Sequence, residues 1–114
     1  MKLPNAEDAV VEREKIVEYL LNPAHPDNGG KAAFFEALGF QREDPQALAE
    51  ALLDFARQSE VVHSLQSPHG RKYLVVGPMK SPRAKTAKVR TVWIIDKGSD
   101  VARLVTAYPA KHEG

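Results

Sequence analysis

The spacing of apolar residues changes period near residue 59, and that change constrains the fold more than any other feature of the chain. Before it, apolar residues recur at helical intervals; after it, they alternate. Ile16, Tyr19 and Leu20 stand at i, i+3 and i+4, with Glu12, Glu14 and Glu18 on the polar side, which predicts a helix from Glu12 to Leu21. Asn22-Pro23 ends it, because the residue before a proline is pushed out of the α region. Ala24 to Gly30 is then a loop. A second helix is predicted over Lys31 to Leu38, with Phe34, Phe35 and Leu38 inward and Gly39 as a left-handed stop. In the third, Asp44 caps, Pro45 takes the first helical position, and Leu48, Leu52 and Phe55 form the apolar stripe.

Beyond residue 59 the reading is of strands. Val61 to Leu65 and Lys72 to Val76 flank Ser67-Pro68-His69-Gly70, a hairpin turn. An exposed basic loop with two prolines is predicted from Gly77 to about Thr86, followed by strands over Ala87 to Ile95 and Val101 to Tyr108. Helices first and strands after predict an α+β fold: three N-terminal helices packed on one face of a four-stranded antiparallel sheet. The 114 residues suffice for one domain, with a helical part at 1–58, the sheet at 59–109 and a tail at 110–114. The last hairpin has two registers. If Ile95 lies opposite Val101, Arg90 faces Thr106 and Lys88 faces Tyr108, all on one side of the sheet. A slip of one residue sets Thr91 against Thr106 instead.

Composition matters here through charge. A formal net charge of +1 conceals two opposed halves: residues 1–60 carry 6 Lys/Arg and 12 Asp/Glu, net −6, while residues 61–114 carry 10 and 3, net +7. Between Glu60 and Asp96 no acidic residue occurs. Lysines on strand edges often serve only to keep sheets from pairing with one another. These cations, however, stand among Tyr73, Thr91, Trp93, Thr106 and Tyr108, the residue types that grip phosphates and stack bases. Arg71, Lys72, Tyr73, Lys80, Arg83, Lys85 and Lys88 are therefore candidate RNA contacts. Trp93 alone adds little, since a single strand tryptophan is more often core.

Other classes drop out. With 43% hydrophobic and 27% charged residues the chain is of ordinary globular composition. It has no Cys, hence no disulfide or thiolate, which fits a reducing, cytoplasmic compartment. The acidic start, Met1 to Asp8, lacks the apolar segment of a secretory signal, and no apolar run approaches the ~18 residues of a membrane span. His25, His63, His69 and His112 show no paired ligand spacing, and there is no phosphate-binding glycine loop or G-x-S-x-G. No metal and no cofactor are expected, which leaves acid–base chemistry by His, Lys, Arg, Thr and Tyr. His25 and Lys31 bracket a Gly-rich turn before a helix, where backbone N–H groups favour anions. The plainer reading makes His25 a solvated loop residue.

Leu3-Pro4-Asn5-Ala6, Lys15-Ile16-Val17-Glu18-Tyr19-Leu20-Leu21, Lys31-Ala32-Ala33-Phe34-Phe35 and Thr91-Val92-Trp93-Ile94-Ile95 together resemble a family of small uncharacterised bacterial proteins, a domain of unknown function. More distantly, the chain resembles the ribonuclease-toxin fold that groups barnase, EndoU, colicin D and RelE. The closing Thr106-Ala107-Tyr108-Pro109 looks like the last strand of several contact-dependent toxins. That resemblance implies a metal-independent endoribonuclease toxin, of a toxin–antitoxin or contact-dependent system, restrained by a small antitoxin or immunity protein. It matches Thr106 and Tyr108 and, more loosely, His25, Lys31 and Arg90. His25 would act as general base or acid, Lys31 and Arg90 would stabilise the pentacoordinate phosphate, and Thr106 and Tyr108 would hold the phosphate or transfer a proton. The alternatives are a non-catalytic RNA- or protein-binding module of antitoxin or immunity type, and a purely structural subunit.

Overall fold

The computed structural model of the protein describes residues 1–83 and 85–110; His112 and most of the expected tail lie outside them. After a 3₁₀ turn (Ala6–Asp8), α1 (Arg13–Lys15) runs directly into a π-helical turn (Ile16–Leu20). Then come α2 (Lys31–Ala37), α3 (Pro45–Gln58) and four strands: β1 (Glu60–Ser67), β2 (Gly70–Lys80), β3 (Thr86–Asp96) and β4 (Ala102–Pro109). The strands pair antiparallel in chain order. This is the α+β layout of helices followed by one four-stranded sheet that the change of period predicts. No helix among the described residues is long and apolar enough to cross a membrane.

The core forms where the helices meet the odd-numbered side of β2 and β3. Leu48, Leu52 and Phe55 of α3 pack in one buried cluster with Val75, Met79, Val89, Trp93 and Leu104. Gly77 belongs to the same design: a Cβ there would come within 2.8 Å of Ser59 Oγ and 3.6 Å of the Phe55 ring, so the bare backbone lets the end of α3 settle on β2. Burying Trp93 requires a partner for its indole N–H, and Thr91, two residues back on the same face, supplies it. Trp93 Nε1 donates to Thr91 Oγ1 at 2.8 Å, and that hydroxyl donates in turn to the Val75 carbonyl at 3.2 Å. Thr91 and Trp93, grouped in the sequence reading with the cations, are thus fully buried.

Four details depart from the sequence reading. The first helix is wound loosely: Leu21 N–H bonds back five residues to the Ile16 carbonyl at 2.8 Å. Asp44 precedes α3, but its side chain makes no capping bond. β2 does not end at Val76; it runs through Pro78 to Lys80, which shortens the expected basic loop to five residues, 81–85. The proline is tolerated because β1 stops pairing at Glu60, opposite Val76, so on that flank no ladder bond is lost. The last hairpin follows neither anticipated register throughout: Arg90 and Thr91 both miss Thr106, although Arg90, Thr106 and Tyr108 do share one face. Ile95 pairs with Ala102 and Trp93 with Leu104, then Val105 bulges, and beyond it Val92 pairs with Thr106 and Arg90 with Tyr108.

The N-terminal segment guards both sheet edges. Met1 accepts a bond from Val61 N–H of β1 at 2.7 Å, and Val10 bonds to Ala102 and Leu104 of β4 at 2.8 and 3.0 Å. Near the final turn, Arg103 donates twice to Asp96, Nε at 2.7 Å and Nη2 at 3.0 Å. These hydrogen bonds, aided by the guanidinium charge, hold the Asp96 carboxyl below the usual carboxylate range.

Two outcomes are expected. Thr91→Val strands the Trp93 N–H in the core and lowers the unfolding free energy in urea by ~1–3 kcal/mol, while Thr91→Ser costs less. Arg103→Met moves the NMR titration of Asp96 upward to the ordinary range of ~4. Because the native carboxyl titrates low, the wild type's stability advantage over this variant is full above that range. It disappears as pH falls through the folded-state value.

Candidate functional site

The π-helical turn and the loop after it converge on Tyr19. At the end of the wider turn the Tyr19 carbonyl accepts from Asn22 N–H at 3.2 Å, and the side chain of Asn28 adds to this and reaches the Leu20 carbonyl. Its Nδ2 donates to Tyr19 O at 2.7 Å and Leu20 O at 3.3 Å, while its Oδ1 accepts from Ala32 N–H at 3.0 Å. Asn28 is itself buried. One amide therefore joins the end of the π turn to the start of α2, where Lys31 stands, and fixes the intervening loop, which carries His25.

Around Tyr19 the loop side chains arrange themselves by its ring electrostatics. His25 meets the phenol ring edge to face, centroids 5.0 Å apart at 66°. The ammonium groups of Lys15 and Lys31 lie 5.6 and 5.5 Å from the ring centroid. The hydroxyl reaches across to the sheet and shares a 2.8 Å hydrogen bond with Thr106 Oγ1 on β4. His25 and Lys31 are thereby tied to Thr106 through Tyr19, a residue that sequence reasoning counted only as part of an apolar stripe. A π turn shifts the residues after it off the 3.6-residue face, and no residue type announces it.

The local bonds limit what His25 and Lys31 can do. Asp27 N–H donates to His25 Nδ1 at 3.0 Å. A ring nitrogen that accepts carries no proton, so the neutral imidazole holds its proton on Nε2 and presents a donor rather than a base. Lys31 Nζ donates to the carbonyls of Asp27 and Asn28, both at 3.1 Å, which turns the ammonium back over the loop. At seven residues, α2 is too short for its N-terminus to act as an anion site by itself.

Arg90 and Tyr108 sit one step along the ladder from Thr106. They pair directly across β3 and β4, and both are half-buried. Thr106 and Tyr108 are alternate residues of one strand, roughly 7 Å apart, on the face opposite the buried Thr91, Trp93 and Ala107. The five candidate side chains therefore form two neighbouring groups, Tyr19 with His25, Lys31 and Thr106, and Arg90 with Tyr108.

The proposed RNA contacts do not form one patch. Tyr73 is a correction: at 8% exposure it faces the helices, opposite Trp93, and belongs to the core. Arg71, at the start of β2, donates to Ser64 Oγ at 3.1 Å. Lys80 lies nine residues further on, a rise of roughly 30 Å. Arg83 turns toward the helices, where Gly39, at φ 102°, leaves room for its stem, and it lines a hollow shared with Glu36 and Glu43. Lys85 is exposed in the hairpin loop. Lys72 and Lys88 share the outer face with Lys80 and Arg90.

Two concavities flank these groups. A hollow of about 270 Å³ beside Tyr19 and His25 is walled by Glu12, Glu14 and Glu18 together with Lys15. A larger cleft of about 490 Å³ lies elsewhere, between α3 and the β2–β3 hairpin, and among the candidates includes only Lys80. The smaller hollow is acidic on its helical side, and Thr106 and Arg90 lie toward the sheet.

The profile of a domain of unknown function, DUF6883, matches residues 2–111. Comparison with curated proteins finds no match. Among solved structures, the fold is similar to a chain of a contact-dependent growth inhibition toxin–immunity protein complex from Klebsiella pneumoniae 342. The TM-score is 0.71 at 18% identity, over 94% of this chain and 97% of that one.

Asn28→Ala removes three hydrogen bonds to the backbone from a buried position and is expected to cost about 2–4 kcal/mol in chemical denaturation. The NMR signals of Tyr19 and His25 should shift with it. Tyr19→Phe, which loses only the bond to Thr106, should cost about 1 kcal/mol and leave the Asn28 amide signals in place.

Proposed function

The chain belongs to the DUF6883 family, and from that starting point we propose that it is a metal-independent endoribonuclease toxin module of a bacterial contact-dependent or toxin–antitoxin system. The observation that carries this reading is the hydroxyl contact at 2.8 Å between Tyr19 and Thr106, which brings His25 and Lys31 to the strand bearing Tyr108, next to Arg90. The shared fold with a chain of a toxin–immunity complex supports a role in such a system and a protein partner of immunity type.

In the proposed reaction the ribose 2′-oxygen bonds to the adjacent phosphorus and the bond from phosphorus to the 5′-oxygen breaks, leaving a 2′,3′-cyclic phosphate. The 2′-hydroxyl proton passes to water. The Tyr108 phenol gives its proton to the departing 5′-oxygen and is reprotonated from solvent. Lys31 and Arg90 face the charge that builds on the non-bridging oxygens, the contribution that usually dominates such catalysis. His25, with its proton on Nε2, donates a hydrogen bond to one of those oxygens instead of acting as the base. Thr106, held by Tyr19, orients the phosphate.

A second reading, a non-catalytic RNA- or protein-binding module, draws support from the three glutamates that wall the hollow at His25. A cleavage assay in EDTA separates the two. The wild type should cut a short oligoribonucleotide to cyclic-phosphate ends and spare its 2′-O-methyl analogue. Lys31→Ala, Arg90→Ala and Tyr108→Phe should each lower the rate by about 10²-fold or more. Binding of RNA without cleavage by the wild type would leave the second reading in its place.

A further inference from the structure

The helices cover one face of the sheet, and the other face is open. On it, His63 and Leu65 of β1 lie beside Leu74 and Lys72 of β2, which pair with Val92 and Ile94 of β3. Its centre is aliphatic: Leu74, Val76 and Val92 are half-buried there, and Ile94 beside them is buried. The centre continues at the β1 edge into Val62 and Leu65, each 58% exposed. Around it stand Lys72, Lys80, Lys88 and Arg90, none in an ion pair among the described residues. The two carboxylates on this face are already neutralised, Glu60 by the N-terminal ammonium at 3.0 Å and Asp96 by Arg103 at 2.7 Å.

We propose that this outer face is the docking surface for an acidic protein that presents carboxylates around an apolar centre. Size and charge both bear on the choice of occupant. Four strands ~4.8 Å apart and about eight residues long give roughly 500 Å², most of one side of a standard interface of about 800 Å² per partner. An aliphatic centre that continues into exposed Val62 and Leu65 and is rimmed by cations unpaired among the described residues has the make-up of an interaction site. RNA fits it poorly, because single strands need aromatic platforms and the rings on this face among the described residues, His63 on β1 and Tyr108 on β4, stand at opposite edges of the sheet. A second copy fits no better. Face to face, it would set four cations against four, and stacking this face on another copy's acidic helices gives a head-to-tail contact that need not close. The partner is therefore a different, acidic protein. Seated there it covers Arg90 and Tyr108, so on the catalytic reading above it is also an inhibitor; that consequence alone rests on that reading.

The test is an NMR titration of the labelled protein with three probes of similar charge: a 20-residue peptide alternating Leu and Glu, a decaglutamate, and a ten-nucleotide oligouridylate. The amphipathic peptide should move the amide signals of Leu74, Val76 and Val92 and bind about tenfold tighter than decaglutamate. Leu65→Asp and Val62→Asp, both outside the proposed catalytic set, should each weaken it about tenfold. Equal binding of decaglutamate, or tighter binding of oligouridylate at the same signals, overturns the proposal. The peptide should also suppress RNA cleavage. A wild type that binds the peptide but cuts no RNA overturns the catalytic reading and leaves the docking surface standing.

Discussion

The buried amide of Asn28 is the constraint on which the site depends. The π-wound turn ends on carbonyls that need partners, as every helix does, and here one side chain bonds two of them and also starts the next helix. Tyr19 packs against the core beside Ile16 and Leu20 while its hydroxyl reaches Thr106 on β4. His25 and Lys31 gather around its ring. A residue of the π turn thus connects the helical layer to the edge of the sheet.

The order of helices and strands is legible in the residues because periods of 3.6 and 2 survive any tertiary context. Leu48, Leu52 and Phe55 are buried as their spacing requires. Faces are harder to read. Lys72-Tyr73-Leu74-Val75-Val76 is apolar on both sides of the pleat, so alternation alone does not tell that Tyr73 turns to the helices and Leu74 away from them. The bulges at Val62 and Val105 each insert one residue, which reverses parity without changing composition. In β4 the turn sets Ile95 opposite Ala102 rather than Val101 and the Val105 bulge adds one residue more, so Arg90, expected opposite Thr106, lies opposite Tyr108. Tyr19 escaped notice for the same kind of reason, a one-residue change in winding.

The charge asymmetry acquires a definite shape once the layers are placed. The acidic half of the chain forms the helices and coats their outside, while the cations of the second half divide. Lys72, Lys80, Lys88 and Arg90 lie on the open face, and Arg83 is drawn back against Glu36 and Glu43. A single basic groove is not what this distribution makes. It makes a cationic frame around an aliphatic centre, and N-terminal segments occupy the edges where another strand might otherwise add.

The same distribution fixes how an anion reaches Tyr19 and His25. Glu12, Glu14 and Glu18 wall the hollow on the helical side, and within the ~8 Å over which charges act in physiological salt they repel a phosphate. From the sheet side the nearest charge is Arg90, with Thr106 and Tyr108 beside it. On the proposed catalytic reading a phosphate would arrive over β4, past the residues assigned to act on it. A protein seated on the open face would stand across the same route, so the placement of charge makes access to the site and occupancy of the sheet mutually exclusive.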